Sequence, residues 1–357
     1  MTDESTLLSD QVFQLNTILW ALEELPEELG QGEVQPVLRR AGYYLGAIGR
    51  RVLMPSDEVT LAALAKLTGS MNQAPCHPDL WLRHESDPVQ PLVEVKAQGF
   101  SPESSNRRQV LKLIAAASDL APSLAETGVR PGHVVYATVA SDVDRVTTTL
   151  RTLAQELRAE GVDPAPTGSI GLTIEDDGVV LSSPDPADLP EPLEQALTNC
   201  PIVLHRDGNN DLRPLYSIPW IPGIKESQDA ELHTDGLREL TSRVLVHMLA
   251  AVGQTRPPTT LILSGRSLLS DATFGVADRW LDTDRREFHK AVAGIVDRTL
   301  KSVVDVQRLP ADSREIDLPD IDTKKLVIER IEQADPADPS ANLQAMVEAP
   351  PTLFDEP

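Results

Sequence analysis

One short stretch of this chain has side chains of the types and spacing needed for cation-assisted chemistry on a phosphate ester. Asp79 follows Pro78, fourteen residues intervene, and Glu94-Val95-Lys96 comes next. The runs Leu80–Arg83 and Leu92–Lys96 read as strands, and Ser86-Asp87-Pro88 supplies turn chemistry between them. A turn centred between Ser86 and Asp87 sets Asp79 opposite Glu94 across an antiparallel pair, with both side chains on one face. Lys96, two residues past Glu94, shares that face, whereas Val93 and Val95 point the other way. Facing carboxylates repel each other, and a hard divalent cation, Mg2+ or Mn2+, relieves that repulsion through oxygen ligation. A cation held there lowers the pKa of a water and offsets charge developing on phosphate. Lys96 would position the nucleophile or neutralise the pentavalent transition state. The plainer alternative is an exposed hairpin on which Glu94 and Lys96 are ordinary solvent-facing alternation.

The elements around this hairpin follow from periodicity and punctuation. Residues Thr6–Glu24 carry an apolar stripe at helical spacing, stopped by Pro26 and Gly30-Gln31-Gly32. The sequence predicts a second helix from Pro36 to about Leu53. Its Arg39/Arg40 and Arg50/Arg51 pairs, eleven residues apart, would share a face that is either simply solvated or turned to phosphate. A third helix is expected from the N-cap Ser56 to Leu67, ending at Gly69. After the hairpin come a helix from Ser104 or Ser105 to Ala117, a strand at His133–Ala140 and a helix over Asp142–Glu160. A strand-turn-strand follows, Ile170–Ile174 and Gly178–Leu181, around Asp176-Asp177-Gly178. Such alternation implies an α/β (α+β) fold with a mixed sheet flanked by helices.

Ser183–Pro190 reads as a linker. Beyond it, a hairpin (Ile202–His205 and Leu212–Ile218), a helix (Thr234–Ala251), a strand (Thr260–Leu263), a turn at Ser264-Gly265-Arg266-Ser267 and a helix (Asp284–Val303) suggest a second α+β region. From Leu309 onward Asp, Pro and Glu dominate, so a largely disordered acidic tail with one short helix at Lys324–Gln333 is expected. The division is therefore 1–55 (N-terminal helices), 56–183 (core bearing the hairpin), 190–308 (partner or substrate binding) and 309–357 (tail).

Composition narrows the functional classes. Hydrophobic residues are 41% of the 357, enough for an ordinary core, while aromatics are only 4%. Cys76 and Cys200 match no zinc spacing and build no disulfide framework. Met1-Thr2-Asp3-Glu4 lacks the basic start of a signal peptide, and no apolar run is long enough to span a bilayer, so a cytoplasmic, non-membrane protein is expected. The net charge of −23 opposes a polyanionic substrate, yet residues 309–357 alone hold 12 acidic and 4 basic side chains. Basic residues gather near the hairpin instead. Neither a phosphate-binding Gly-rich loop nor a Gly-X-Ser-X-Gly elbow occurs, so any use of ATP would come from a partner such as an ATPase or helicase.

Pro78-Asp79, fourteen residues, then Glu94-Val95-Lys96 resembles the PD-(D/E)XK motif of the restriction-endonuclease-like nuclease superfamily. The order of elements resembles it too: helix, hairpin strands bearing Asp and then Glu-X-Lys, a helix, and a further strand. The resemblance covers roughly residues 56–140. It implies a restriction-endonuclease-like fold in which Asp79, Glu94 and the Val95 carbonyl ligate Mg2+ or Mn2+ and Lys96 is the catalytic lysine. Glu58 is the candidate for the extra acidic residue that the superfamily often carries on the preceding helix. A first core strand before Asp79 is hard to find in Gly69–His77. At the following loop and helix start, Gln98, Ser105, Asn106, Arg107, Arg108 and Lys112 are candidates for contacting a nucleic-acid backbone. The activity implied is hydrolysis of phosphodiester bonds, in the DNA-cleaving subunit of a bacterial defence or repair system, with RNA as substrate and self-association left open. The alternative is a nuclease-like fold without activity, serving as an acidic scaffold or regulatory subunit of a larger complex.

Overall fold

The computed structural model describes residues 4–23, 34–49, 52, 54–55, 57–70, 75–86, 89–117, 130–207, 210, 212, 216–221, 230–280 and 284–334. The glycines at 30 and 32, Arg50, Arg51, Ser56, Asp87-Pro88, residues 213–215 of the second expected hairpin and the last stretch of the acidic tail lie outside those residues. The chain divides into two units, Met1–Tyr216 and Ser217–Pro357.

The first unit is built on a seven-stranded sheet whose spatial order follows the chain: β1 (Tyr43–Ile48), β2 (Leu80–His84), β3 (Val89–Val95), β4 (Arg130–Val139), β5 (Thr167–Glu175), β6 (Gly178–Ser182) and β7 (Ile202–His205). β3, β4 and β5 run parallel; every other neighbouring pair is antiparallel. The parallel connections pass through α5 (Arg107–Ala116) and α6 (Val143–Ala159), as crossovers require. These helices, with α4 (Glu58–Thr68), cover one face, where Trp81, Leu92, Val134 and Tyr136 join Leu64, Leu111, Ile114 and Leu153 in one apolar cluster. The remaining strand residues, Leu45, Leu80, Val93 and Val135, are equally buried. α2 (Gln11–Leu22) packs against β1, β3 and β7.

α2 is buried all round: every residue from Val12 to Leu22 is inside. Asn16 Nδ2 donates to the Val12 carbonyl at 2.8 Å and Thr17 Oγ1 to the Phe13 carbonyl at 2.9 Å, while Gln14 Nε2 reaches the carbonyls of Leu8 at 2.6 Å and Ala97 at 3.4 Å. Asp10 caps it, accepting from the Val12 and Phe13 amides, and separates it from α1 (Glu4–Leu8). The outer edge of β7 is met by Val34 and by the Gln35 amide, which donates to the Val203 carbonyl at 2.9 Å. α3 (Val37–Arg40) follows at once and packs on β1, so the sheet curls and its two edges approach each other around α2.

The helix expected over Pro36–Leu53 lasts one turn and gives way to β1, which pairs antiparallel with β2. Gly42 adopts φ +90, open to glycine but not to ordinary side chains, and Tyr43-Tyr44-Leu45 then favours a strand. Arg39 and Arg40 therefore sit on α3, and Arg39 pairs with Glu85. Ser183–Pro190 is also no boundary. Arg151 binds Asp185 at 2.5 Å and Asp188 at 2.6 Å, His133 Nε2 reaches the Asp188 carbonyl at 2.7 Å, and after α7 (Glu191–Asn199) β7 extends the same sheet.

In the second unit, α8 (Ala230–Gln254), α9 (Gly265–Ala272) and α10 (Asp284–Leu300) accompany a three-stranded sheet in the order β8–β10–β9. Its strands are β8 (Thr259–Ser264), β9 (Val306–Leu309) and β10 (Ser313–Leu318), with α11 (Ile321–Glu332) following. Ser264, expected in a turn, caps α9. The disorder expected from Leu309 is contradicted by β10 and the ordered chain as far as Ala334, while the short helix expected at Lys324–Gln333 is present within α11. β10 is the central strand, burying Ile316 and Leu318, and Arg314 binds Asp297 of α10 through two oxygens at 2.6 and 3.0 Å. Among the described residues no helix is long and apolar enough to cross a membrane.

Candidate functional site

Leu80 pairs with Val93 and Trp81 with Leu92, so one step further Asp79 comes opposite Glu94 at the end of the β2–β3 pair. Asp79 Oδ2 accepts the Val95 amide at 2.7 Å. The Lys96 amide continues the ladder onto β4, donating to the Ala137 carbonyl at 2.9 Å. Strand alternation then sets Asp79, Glu94 and Lys96 on the face covered by α5.

Glu94 is 2% exposed. Its Oε1 accepts from Lys96 Nζ at 2.7 Å and from Gln109 Nε2 at 2.6 Å, while Gln109 Oε1 accepts from Lys96 Nζ at 3.2 Å. Glu94, Lys96 and Gln109 thus form a closed triangle. Glu94 Oε2 is buried with no hydrogen-bond partner. A buried carboxylate with one oxygen doubly satisfied and the other empty is a costly arrangement unless something further completes it.

The electrostatics follow from that burial. Desolvation first, and the Glu94 charge second, push the Asp79 carboxyl up to about 8, against the Val95 amide and the Lys96 ammonium. Glu94 is also raised by burial, opposed chiefly by Lys96 and Gln109. Beneath them, burial pushes the Cys76 thiol up to about 12; its sulfur lies 3.7 Å from that of Met54. Lys112 of the same helix as Gln109 is lowered by burial.

The oxygen-only donor set and the empty Glu94 oxygen suit a hard divalent cation. Among the described residues no group of three His, Cys, Asp or Glu side chains converges, so Asp79 and Glu94 are the two carboxylates that could ligate a cation here. Glu58 is exposed at the start of α4 and does not join them. The contact made by Val95 is through its N–H.

The residues expected to face nucleic acid are dispersed. Arg107 turns onto Glu156, at 2.5 and 3.3 Å, and onto the carbonyls of Leu67 and Pro102. Arg108 donates to Ser70 Oγ at 2.9 Å, and Lys112 is buried. Gln98 and Ser105 are exposed, and Asn106 precedes α5 without a side-chain cap bond. Gln109 and Tyr136, which the motif does not contain, lie against the site. Gln109 has no local signature beyond its place in the first turn of the helix after Lys96. Tyr136 could be found only by combining the alternation of β4 with its register against Glu94.

Comparison with known proteins yields no matching family model, no matching curated protein and no matching solved structure.

Proposed function

We propose that this protein is a metal-dependent nuclease hydrolysing phosphodiester bonds, with its site at Asp79, Glu94 and Lys96. One observation carries the reading: the buried Glu94 and half-buried Asp79 carboxylates meet across a hairpin beside a lysine, and one Glu94 oxygen has no partner. The order of elements supports it, with α4, the hairpin strands β2 and β3, α5 and β4 in succession. Asp79 and Glu94 would hold Mg2+ or Mn2+, whose bound presence supplies Lewis-acid activation and charge neutralisation. Lys96 holds an ammonium beside that position and stabilises negative charge building on the attacked phosphate, or orients the attacking water. Gln109 fixes the lysine and Glu94 relative to each other, which limits the rearrangement needed during reaction. The triad is enclosed by the sheet and α5, an environment in which each charge acts more strongly than in water.

DNA is the first substrate to test and RNA the second. Cleavage should require Mg2+ or Mn2+ and fall below detection in Asp79→Ala and in Lys96→Ala. Activity that survives both substitutions removes these residues from the mechanism.

A second reading, a nuclease-like fold without activity that serves as a scaffold, is favoured by one specific feature. Lys96 and Gln109 already occupy Glu94 Oε1, closing the site, and the chain carries −23. It requires that Mn2+ titrated by calorimetry give the same absence of heat for the natural chain and for Glu94→Gln. A Mn2+ affinity that drops in Glu94→Gln supports the nuclease.

A further inference from the structure

Three buried polar atoms near the site lack hydrogen-bond partners: Glu94 Oε2, Tyr136 Oη and Thr138 Oγ1. Glu94 is 2% exposed, and Tyr136 and Thr138 are 0% exposed. They belong to one row. Glu94 of β3 stands beside Tyr136 of β4 in the parallel ladder. Lys96 bonds to the neighbouring Ala137 carbonyl, so the next step of that ladder brings Thr138 beside Lys96. Alternation along β4 sets Tyr136 and Thr138 on the same face as the carboxylates.

Folded proteins bond most of their buried polar groups and leave only a few per hundred residues unbonded. Three on adjacent positions of two strands, at the point where two carboxylates also meet, indicate a shared polar guest. Apolar substitutes exist for both hydroxyls. Phenylalanine would keep the Tyr136 ring against Phe100, their centroids 5.3 Å apart, and valine has the shape of threonine and suits a strand. Packing alone gives no reason for either hydroxyl.

We propose that Tyr136 and Thr138 are positioning residues of the cation site, their hydroxyls bonding to the water shell of a hydrated divalent cation held by Asp79 and Glu94. This rests on the reading of that site given above and adds two residues to it. Mg2+ and Mn2+ retain several waters in protein sites, and groups that orient the outer shell typically govern affinity by ten- to a hundredfold. A site with only two carboxylates depends on such groups more than one with four protein ligands.

The test uses the full chain, with Tyr136→Phe, Thr138→Val and the double substitution. Mn2+ is titrated by calorimetry, and melting is followed separately in EDTA. Expected is a Mn2+ affinity about 10-fold weaker in Tyr136→Phe and weaker still in the double variant. The metal-free melting temperature should hold or rise, because an unbonded buried hydroxyl is removed. Affinities equal to the natural chain in all three variants overturn the proposal, as does a weaker affinity accompanied by a lower metal-free melting temperature in each. Absence of Mn2+ binding by the natural chain overturns the cation site and this proposal together. Binding that weakens as expected in a chain that cleaves no nucleic acid supports the proposal and rejects only the nuclease.

Discussion

Glu94 accepts from an ammonium and an amide on the same oxygen, while its other oxygen is left buried and unbonded. That asymmetry makes Gln109 more than a filler. Replacing it with leucine removes a donor to Glu94 and an acceptor for Lys96 together. Gln109→Leu should lower the rate of Mg2+-dependent cleavage by about 10- to 100-fold and cost about 1–3 kcal/mol of stability by removing a donor from the buried Glu94; an unaltered rate would show that the glutamine orients nothing. Asp79 gives a pH dependence. Its carboxyl is pushed up to about 8 in the fold, against about 3.9 in an unfolded chain. Its contribution to stability is therefore full below about 4 and is lost as the pH rises toward about 8. The metal-free protein should lose stability across that window by at most about 1.4 kcal/mol per pH unit from this group. Asp79→Asn should flatten the dependence, measured by urea denaturation in EDTA. Equal slopes for the two proteins would mean that the carboxyl is already ionised in the fold.

The hairpin was legible in the sequence because a period-two pattern and a turn together determine which residues face each other. Asp79, Glu94 and Lys96 needed nothing else. Gln109, Tyr136 and Thr138 were not legible, since their proximity depends on how α5 is rotated and how β4 is registered, and no local spacing records either. β1 was misread because Pro36 and the apolar residues after it imitate a helix start, while the decisive signal was the backbone conformation of Gly42. The stretch Ser183–Pro190 has the composition of a linker, but Arg151 and His133 tie it down from elements far away in sequence. Gly178, by contrast, was read correctly at a strand-turn-strand. It adopts φ +142, and a Cβ there would collide with the Leu204 carbonyl of β7. Gly178→Ala should cost about 2 kcal/mol or more through strain and the displaced strand. Chemical denaturation measures it, and a cost below about 0.5 kcal/mol would mean that β7 yields easily.

The charge of −23 is compatible with an ordered second unit, in which Asp297 and Asp320 hold specific structural positions. Asp297 is held by Arg314 and, at 3.3 Å, by Arg308, and Asp320 caps α11 through the Thr323 amide. Arg314→Ala strands a buried carboxylate and should destabilise by about 3–5 kcal/mol. Asp297→Leu combined with Arg314→Met should recover most of that loss in thermal melts; a double variant as unstable as the single would mean that the side chains matter for shape and not for charge. The first unit holds a different consequence. Its strands are laid down in the order in which they are made, yet α2, near the start, packs against β7, the last of them. During synthesis at roughly 5–20 residues per second, α2 waits on the order of ten seconds or longer before its final cover is available. A nascent chain stopped before β7 should therefore present part of the apolar surface of α2 to chaperones, and release through Tyr216 should withdraw it.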